Sequence, residues 1–379
     1  MKVTLVVSTL NAGGMERVVV NMANAWVARG WRPTILTTSQ RDRPVAFALD
    51  PRVVHRDIGW RRDPDDDEMD HASLEAILGV LDLSDPPYDL MLADIVLLVM
   101  LRRAIQLTEP EAVLSFSDVM NIRMLIATTG LQFRRYVSER CDPERTSIGP
   151  LEPLRRRFYL HANGVAAQTD AAARHFERFG ARCSVVPNMV LPPPLSPTRA
   201  ERDGTRTLVT LGRLVGFKRL QIVIRAFAHI AEQHPRWRLD IWGEGNQRGF
   251  LEELIERLGA GDRIRLRGHA HDVHAVLRDA DLFAMTSSTE GFPNALCEAM
   301  ACGVVPVVVD CGPGVRTIVR DGIDGLLVPG EGPALFASFL DRLMRDDDER
   351  QRLAACAPEI VDRFSVDRVM DRWEEMLAS

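Results

Sequence analysis

Short apolar runs alternate with segments of helical periodicity along the whole chain. In the first half, the apolar runs predict strands at Val3–Ser8, Pro33–Thr38, Ala112–Phe116, Arg135–Ser138, Gly164–Gln168 and Cys183–Val186. In the second half, they predict strands at Thr207–Gly212, Arg238–Trp242, Ile264–Arg267, Leu282–Thr286, Val305–Val309 and Gly325–Val328. This alternation is typical of a parallel sheet with helices on both faces. It predicts two α/β units of the Rossmann type, with ligands at the carboxyl ends of the strands.

The boundaries of these units follow from a proline-rich stretch near the middle of the chain. Pro192, Pro193 and Pro194 precede a polar run with few apolar residues, which indicates a linker. We expect a first unit over residues 1–191, a linker over 192–205 and a second unit over 206–362. Apolar residues recur at helical spacing in the last segment, 363–379, and predict an amphipathic helix that packs against another element. A length of 379 residues fits two domains.

Composition and charge narrow the class of protein. The net charge of −6 argues against a nucleic-acid-binding protein, which usually has a basic surface. The six cysteines lack paired spacing, so we expect reduced thiols and a cytoplasmic location. The chain starts with a predicted strand rather than the longer apolar core of a signal peptide. Its most apolar run, Leu90–Leu101, is shorter than the roughly 20 residues that span a bilayer.

Two glutamates, Glu290 and Glu298, stand on either side of a predicted helix N-terminus that follows an apolar strand. Pro293 suits the first helical position, and Gly303 suits the position just past the helix end. A helix N-terminus attracts anions, whereas carboxylates accept hydrogen bonds from hydroxyls. The pattern therefore indicates a ligand with both phosphates and hydroxyls, such as a sugar nucleotide. The alternative is an acidic loop followed by a glutamate on a solvated helix face.

Three further turns follow predicted strands. The paired glycines Gly13 and Gly14 allow a close backbone approach to a ligand, although a tight turn explains them equally well. Arg213 offers a planar fork and Lys218 a point charge, a combination suited to a diphosphate. Their alternative is two solvated surface charges. The turn at 310–316 adds Arg316 as another candidate phosphate ligand.

Together, these residues resemble the retaining nucleotide-sugar glycosyltransferases of family 4. The resemblance is dense from about 207 to 330 and looser over the first half. It implies the GT-B fold, in which two Rossmann-like lobes enclose a donor and acceptor cleft and a C-terminal helix packs back on the first lobe. The segments that carry it are Gly13–Arg17, Gly212–Leu214 with Lys218, Trp242–Gly245, Ser288–Asn294, Glu298–Gly303, Asp321–Gly322 and Gly325–Pro329.

The resemblance also implies roles for individual residues. Arg213 and Lys218 would hold the donor diphosphate, Glu290 would lie near the hydroxyls of the transferred sugar, and Glu298 would bind the ribose hydroxyls. Backbone amides after Glu290 would face the sugar and phosphates, and the paired glycines would approach the pyrophosphate. The implied donor-binding residues are thus Gly13, Gly14, Arg213, Lys218, Glu290, Gly291, Phe292, Pro293, Asn294 and Glu298.

The chain departs from the family pattern at two places. Many members carry a histidine in the first lobe that points at the reaction centre. Here the comparable segment ends in Ser138, Glu139 and Arg140, so Glu139 or Arg140 would take its place. We count Glu139 with Glu290, Arg213 and Lys218 as a candidate catalytic residue. Thr317 stands where an acidic residue is common in the family.

The activity implied by the resemblance is a retaining, metal-independent transfer of a hexose or N-acetylhexosamine. The donor would be a nucleoside-diphosphate sugar, with UDP favoured over GDP, and the acceptor a hydroxyl of a glycan or lipid-linked glycan. Such transfer serves the synthesis of cell-surface polysaccharides or glycoconjugates. No cofactor is expected. The alternatives are a sugar-nucleotide epimerase on the same fold and a catalytically silent binding protein, which the unusual Glu139 leaves open.

Three other charged clusters have simpler interpretations. The acidic run Asp63–Asp67 has the spacing of metal-dependent glycosyltransferases, but it follows no apolar strand and is interpreted as a solvated loop. The neighbouring His269, His271 and His274 lack further residues at metal-ligand spacing. The basic run Arg155–Arg157 predicts a solvated helix face, with contact to an anionic membrane surface as the alternative.

Overall fold

A computed structural model describes residues 1–59, 71–79, 94–194 and 204–378 of the chain. These residues divide into two compact units. Unit 1 comprises Met1–Asn188 with Val366–Ser379, and unit 2 comprises Met189–Ser365. The acidic run Asp63–Asp67 and most of the proposed linker lie outside the described residues, as does the start of the apolar run Leu90–Leu101.

Unit 1 is built on a seven-stranded parallel sheet with the order β3-β2-β1-β4-β5-β6-β7. The central strands β1 and β4 are buried along almost their whole length, as expected for a parallel sheet covered on both faces. Strand β3 escaped prediction because its four residues include only one apolar side chain. The strands are β1 (Lys2–Val7), β2 (Arg32–Thr37), β3 (Val54–Asp57), β4 (Ala112–Phe116), β5 (Arg134–Ser138), β6 (Gly164–Ala167) and β7 (Cys183–Val185).

The helices of unit 1 cover this sheet with apolar faces. Helix α1, for example, buries Val19, Met22 and Trp26, which recur at the spacing of one helix face. The described helices of the unit's first segment are α1 (Gly14–Ala28), α2 (His71–Leu78), α3 (Ile95–Gln106), α4 (Asp118–Ala127), α5 (Glu152–Tyr159) and α6 (Asp170–Glu177).

Unit 2 contains a six-stranded parallel sheet with the order β10-β9-β8-β11-β12-β13. All six strands predicted for the second half of the chain are present, and their ends agree with the prediction to within one residue. The strands are β8 (Arg206–Leu211), β9 (Trp237–Trp242), β10 (Ile264–Gly268), β11 (Leu282–Met285), β12 (Val305–Val309) and β13 (Leu326–Val328).

The helices of unit 2 enclose one hydrophobic core that includes Phe227 and Phe336, both fully buried. The described helices are α7 (Leu220–Ile230), α8 (Arg248–Arg257), α9 (Val273–Arg278), α10 (Asn294–Ala301), α11 (Pro313–Ile318), α12 (Pro333–Arg345), α13 (Asp347–Cys356) and α14 (Ile360–Arg363).

The predicted C-terminal amphipathic helix is present as α15 (Val366–Ala378), and it packs on unit 1 as expected. Its Trp373 is buried and lies edge-on to Trp26, with the ring centroids 6.4 Å apart. Arg29, which follows α1, forms ion pairs with three acidic residues of α15, namely Asp367, Asp371 and Glu374. Burial of a large apolar side chain contributes about 1.5–3 kcal/mol, so Trp373 outweighs the partly exposed ion pairs.

All six cysteines are free thiols, and Cys302 is half-buried. The prediction of a solvated face at Arg155–Arg157 is wrong for Arg155, which is 2% exposed and stacks on Phe176. Arg155 lies on the inner face of α5 beside the buried Tyr159, whereas Arg156 and Arg157 are exposed.

Candidate active site

The strand order of unit 2 reverses between β8 and β11, which are hydrogen-bonded neighbours. Ligands of open parallel sheets bind at such a switch point, beyond the carboxyl ends of the two strands. We call residues 212–219 the β8 loop and residues 286–293 the β11 loop. The ligands predicted for the diphosphate and sugar in unit 2 lie on these two loops, except Asn294, Glu298 and Arg316. Asn294 and Glu298 lie on α10, which directly follows the β11 loop.

Lys218 and Glu290 meet across the switch point. The Lys218 ammonium donates a hydrogen bond to Glu290 Oε1 at 2.6 Å, and the Ser287 hydroxyl donates to the same oxygen at 2.6 Å. Both charged side chains are mostly buried, with 19% of Lys218 and 12% of Glu290 exposed. The structure therefore brings together the predicted phosphate-binding cation and the predicted sugar-binding carboxylate. Sequence spacing gave no signal for this pairing.

Hydrogen bonds between the two loops fix the backbone around this ion pair. The Thr286 hydroxyl donates to the carbonyl oxygens of Lys218 and Arg219 at 3.0 and 3.1 Å. The Ser288 amide donates to the Phe217 carbonyl at 2.8 Å. Because each loop is anchored to the other on both sides of Lys218, the position of its ammonium is set by backbone contacts as well as by Glu290.

Arg213 lies at the start of the β8 loop and is exposed. Within the described residues its guanidinium takes part in no ion pair. An exposed second cation can bind an anion without first breaking an ion pair. Arg213 thus differs from Lys218, whose ammonium is shared with Glu290.

Glycines permit a close backbone approach beside the β8 loop. A Cβ atom at Gly243 would lie 1.9 Å from the Gly212 carbonyl oxygen, and one at Gly245 would lie 2.3 Å from that of Leu214. Gly243 also has a φ of +138°, which side-chain-bearing residues rarely adopt. The loop after β9 therefore supports the β8 loop by backbone contact, and this support requires glycine at both positions.

Helix α10 begins at the predicted place, with one correction. Pro293 is the N-cap residue with extended backbone, and Asn294 is the first helical residue. Gly303 has the predicted left-handed conformation, with a φ of +75°. The amides of Gly303 and Val304 donate to the carbonyls of Met300 and Ala299, which is the Schellman arrangement. Glu298 lies in this helix, half-buried, one turn from its N-terminus.

The turn after β12 packs directly on the β11 loop. A Cβ atom at Gly314 would lie 2.3 Å from the Gly291 carbonyl oxygen, so the first turn of α11 touches the loop backbone. Arg316, a predicted phosphate ligand, donates to both carboxylate oxygens of Asp310 at 2.8 and 3.0 Å. A phosphate would therefore compete with Asp310 for Arg316.

In unit 1, the paired glycines lie where predicted, after β1 and at the start of α1. Gly13 is the extended N-cap residue and Gly14 the first helical residue. A Cβ atom at Gly13 would lie 2.1 Å from a carboxylate oxygen of Glu16. The absence of a side chain at Gly13 thus gives room to the glutamate of the same motif. This loop follows β1, which is one of the two strands at the switch point of unit 1.

Glu139 follows β5 and is 2% exposed. It accepts a hydrogen bond from the Tyr159 hydroxyl, which in turn accepts one from Asn121 at 3.0 Å. Burial raises the pKa of Glu139 to about 7, although the Tyr159 hydrogen bond and the Arg155 guanidinium 4.0 Å away act in the opposite direction. The structure therefore places this candidate catalytic carboxylate inside unit 1, within a network that the sequence did not reveal.

Arg140, the other candidate at this place, is held between aromatic rings. Its guanidinium carbon lies 5.0 Å from the centre of the Phe116 ring and 5.9 Å from that of Trp373. One of its nitrogens donates to Asn188 Oδ1 at 2.6 Å. Burial lowers the pKa of Arg140 to about 9. Glu139 and Arg140 thus have different hydrogen-bond partners, although the charge of Glu139 acts against burial and raises the pKa of Arg140.

The sequence matches two known protein families, and these matches decide the class of protein. Residues 13–189 match the family described as "Glycosyl transferase 4-like domain", and residues 195–359 match "Glycosyl transferases group 1". The first match covers most of unit 1 and the second most of unit 2. The chain belongs to the group 1 glycosyltransferases of the family 4 type.

Two curated relatives match this glycosyltransferase over nearly its whole length. An exopolysaccharide phosphotransferase of Streptomyces coelicolor is 28% identical over 96% of the chain, which spans only 39% of that protein. An α-1,4-N-acetyl-D-galactosaminyltransferase of Campylobacter jejuni, named for an undecaprenol-diphosphate-linked substrate, is 22% identical over 100% of the chain and 98% of its own length.

Solved structures establish the fold of the glycosyltransferase as GT-B. TarM of S. aureus, in a complex that contains UDP, aligns over 100% of both chains with a TM-score of 0.79 and 12% identity. HepE of Anabaena in complex with UDP-glucose aligns over 100% of this chain and 99% of its own, with a TM-score of 0.76 and 19% identity. These alignments confirm the predicted fold class.

The arrangement of side chains and the lengths of the helices bear on metals and membranes. Within residues 1–59, 71–79, 94–194 and 204–378, no three His, Cys, Asp or Glu side chains are grouped as a metal site, so His269, His271 and His274 do not form one. None of the described helices has the length and apolar character needed to span a bilayer.

Proposed function

We propose that this glycosyltransferase moves a hexose or N-acetylhexosamine from a UDP-sugar to a hydroxyl of a glycan or lipid-linked acceptor, with retention and without a metal ion. The observation that carries the proposal is the meeting of Lys218 and Glu290 at the switch point of unit 2. A nucleoside-diphosphate sugar has negative phosphates next to neutral hydroxyls. A cation beside a carboxylate offers a matching partner for each part of such a ligand.

In this proposal, the β8 loop and the β11 loop bind different parts of the ligand. Arg213 and Lys218 of the β8 loop bind the diphosphate, whose charge increases when the sugar leaves. Glu290 accepts hydrogen bonds from the sugar hydroxyls. Its Oε1 already accepts two hydrogen bonds, whereas no described residue donates to its Oε2. The backbone N–H groups of Gly291, Phe292 and Asn294 lie at or just before the N-terminus of α10 and favour the diphosphate.

The nucleoside part of the donor is assigned to Glu298. Its carboxylate lies one turn into α10, on the far side of the helix N-terminus from Glu290. A carboxylate accepts hydrogen bonds from both hydroxyls of a ribose, which phosphates cannot offer. UDP is favoured over GDP because the solved structures of TarM and HepE hold UDP and UDP-glucose, respectively.

The transfer step needs no carboxylate nucleophile. The bond between the sugar's anomeric carbon and the diphosphate oxygen breaks, and the acceptor oxygen bonds to that carbon on the same face. The acceptor's proton passes to the departing diphosphate oxygen, which acts as the base. Arg213 and Lys218 stabilise the charge that develops on the diphosphate. Because Glu139 is buried, we assign it a supporting role in unit 1 rather than contact with the reacting atoms.

Donor hydrolysis and transfer can test this proposal directly. The protein would be incubated with UDP-glucose, UDP-N-acetylglucosamine, UDP-galactose and GDP-mannose, and the release of each nucleoside diphosphate measured. We expect UDP release from at least one UDP-sugar, with the freed or transferred sugar in the α configuration of the donor. An inverted product would contradict retention, and release of GDP alone would contradict the choice of base. An epimerised UDP-sugar without UDP release would favour the epimerase alternative.

A further inference from the structure

Phe364, near the C-terminal end of the chain segment that forms unit 2, contacts Phe292 of the β11 loop. The rings of Phe292 and Phe364 meet edge to face, with centroids 5.1 Å apart and planes at 83°. Both residues are mostly buried, with 5% of Phe292 and 8% of Phe364 exposed. An edge-to-face aromatic pair is stabilised beyond the effect of its buried area. Phe292 is therefore held by a ring 72 residues later in the chain.

Arg363 ties the same segment to helix α11. Its guanidinium donates to the carbonyls of Ile318 and Thr317 at 2.8 and 2.7 Å, and its carbon lies 5.3 Å from the centre of the Phe364 ring. These carbonyls belong to the last turn of α11, where the helix leaves such groups without partners within the helix. Arg363 thus satisfies the end of α11 and packs on Phe364 at the same time.

The N-terminal end of α11 contacts the β11 loop directly. Gly314 in its first turn approaches the carbonyl oxygens of Gly291 and Glu290 so closely that a Cβ would lie 2.3 and 2.6 Å from them. The β11 loop is therefore held at Gly291 by α11 and at Phe292 by Phe364, and Arg363 joins these two supports. We call Phe292, Gly314, Arg363 and Phe364 the loop bracket.

Phe364 also lies where the chain enters and leaves unit 2. Its carbonyl accepts a hydrogen bond from the Val190 amide at 2.8 Å. Val190 is the second residue of unit 2 and Phe364 the last but one. The two segments that connect unit 2 to the rest of the chain are thus joined at the residue that supports Phe292.

We propose that Phe364 and Arg363 are positioning residues, which hold Glu290 in place against the transferred sugar through Gly291 and Phe292 of the β11 loop. The inference rests on the proposed function. The loop bracket touches the β11 loop, whereas Arg213 and Lys218 belong to the β8 loop. Loss of the bracket should therefore disturb the sugar contacts more than the diphosphate contacts. A displacement of about 1 Å in a positioned group can cost up to 100-fold in rate.

The test compares Phe364→Ala with Phe336→Ala, which removes a fully buried ring from α12 in the core of the same unit. For each variant, calorimetry would give the affinity for UDP, and UDP release would give kcat and KM for the UDP-sugar that the wild type uses best. We expect Phe364→Ala to keep its UDP affinity within about threefold and to lose at least about tenfold in kcat. Phe336→Ala should lose stability without that loss in kcat per folded molecule.

Two further variants separate positioning from folding. Phe364→Tyr keeps the ring and should recover most of the lost kcat, and Arg363→Lys, which lacks the planar fork, should show the same pattern as Phe364→Ala. A Phe364→Ala variant that behaves like Phe336→Ala would overturn the inference and leave the proposed function intact. If the wild type bound UDP but released none from any UDP-sugar, the proposed transfer and the inference that depends on it would both fall.

Discussion

The Lys218 ammonium lies 2.6 Å from the Glu290 carboxylate, although 72 positions separate the two residues in the chain. The β8 and β11 strands bring them together, because their carboxyl ends are adjacent at the switch point of unit 2. This pair links the two parts of the proposed ligand. A diphosphate that draws Lys218 away from Glu290 would leave the carboxylate able to accept sugar hydroxyls, so diphosphate and sugar binding should be coupled.

Glu298→Ala should weaken the binding of UDP by about tenfold and the binding of pyrophosphate by less than twofold. The reason is that the proposed role of Glu298 is to accept the ribose hydroxyls, which pyrophosphate lacks, and tenfold corresponds to about 1.4 kcal/mol. Calorimetric titration of both ligands measures the difference. Glu253→Ala, which removes an exposed carboxylate from α8, is the control. Equal losses for the two ligands would remove Glu298 from the ribose site.

Turnover should be unchanged by EDTA and should not increase with added Mg²⁺ or Mn²⁺. Two cations and the N-terminus of α10 are expected to stabilise the departing diphosphate, so a metal ion has no remaining role. UDP release would be measured after dialysis against EDTA, with and without each ion. Activity that disappears in EDTA and returns with one ion would contradict this prediction.

Gly243→Ala should destabilise unit 2 by about 2 kcal/mol or more and lower the affinity for UDP. The new methyl group would meet the Gly212 carbonyl, which is backbone and cannot move aside without shifting Arg213. Thermal unfolding and UDP titration measure both effects. Gly249→Ala in α8 is the matched control, because no atom lies within 4 Å of its added Cβ and alanine favours helix. An unchanged melting temperature for Gly243→Ala would mean that the two loops do not touch.

Stability should respond to pH through Glu139. Because burial raises the pKa of this carboxyl from 4.5 to about 7, the folded protein binds a proton that the unfolded chain has released between these values. The contribution of Glu139 is therefore greatest below pH 4.5 and is lost as the pH rises through 7, by at most about 3 kcal/mol. Glu139→Gln cannot ionise, so its melting temperature relative to wild type should rise from pH 5 to pH 8. A constant difference would show that Glu139 is ionised throughout.

The sequence predicts the fold well because the sheets are buried on both faces. Strand β12, for example, is a continuous apolar run, and its predicted bounds match the structure. Strand β3 was missed because it lies at the edge of its sheet, where polar residues are tolerated. The residues that begin and end helices were also informative. Gly303 ends α10 as predicted, and Pro293 precedes its first turn by one residue.

The candidate site was less accessible to sequence reasoning. The motif residues indicated the chemistry, but contacts between distant segments depend on tertiary packing. Nothing near Glu139 in the chain indicated that Tyr159 would bond its carboxyl group, because the partner comes from the following helix. The contact of Phe292 with Phe364 is similar, since the spacing of two phenylalanines 72 positions apart carries no signal. Strand order and helix packing were needed to reveal both.

Lys218 allows the most direct test of the proposed donor site, because the chain contains only one other lysine, Lys2. Lys2 lies at the start of β1 in unit 1 and pairs with the exposed Glu109, so Lys2→Ala is a matched control. The measurement is the calorimetric affinity for UDP of the wild type, Lys218→Ala and Lys2→Ala. We predict a loss of about 30-fold or more for Lys218→Ala, as a charge-assisted contact contributes about 2–3 kcal/mol, and no change for Lys2→Ala. Equal affinity of all three proteins would contradict the central claim that Lys218 binds the donor diphosphate.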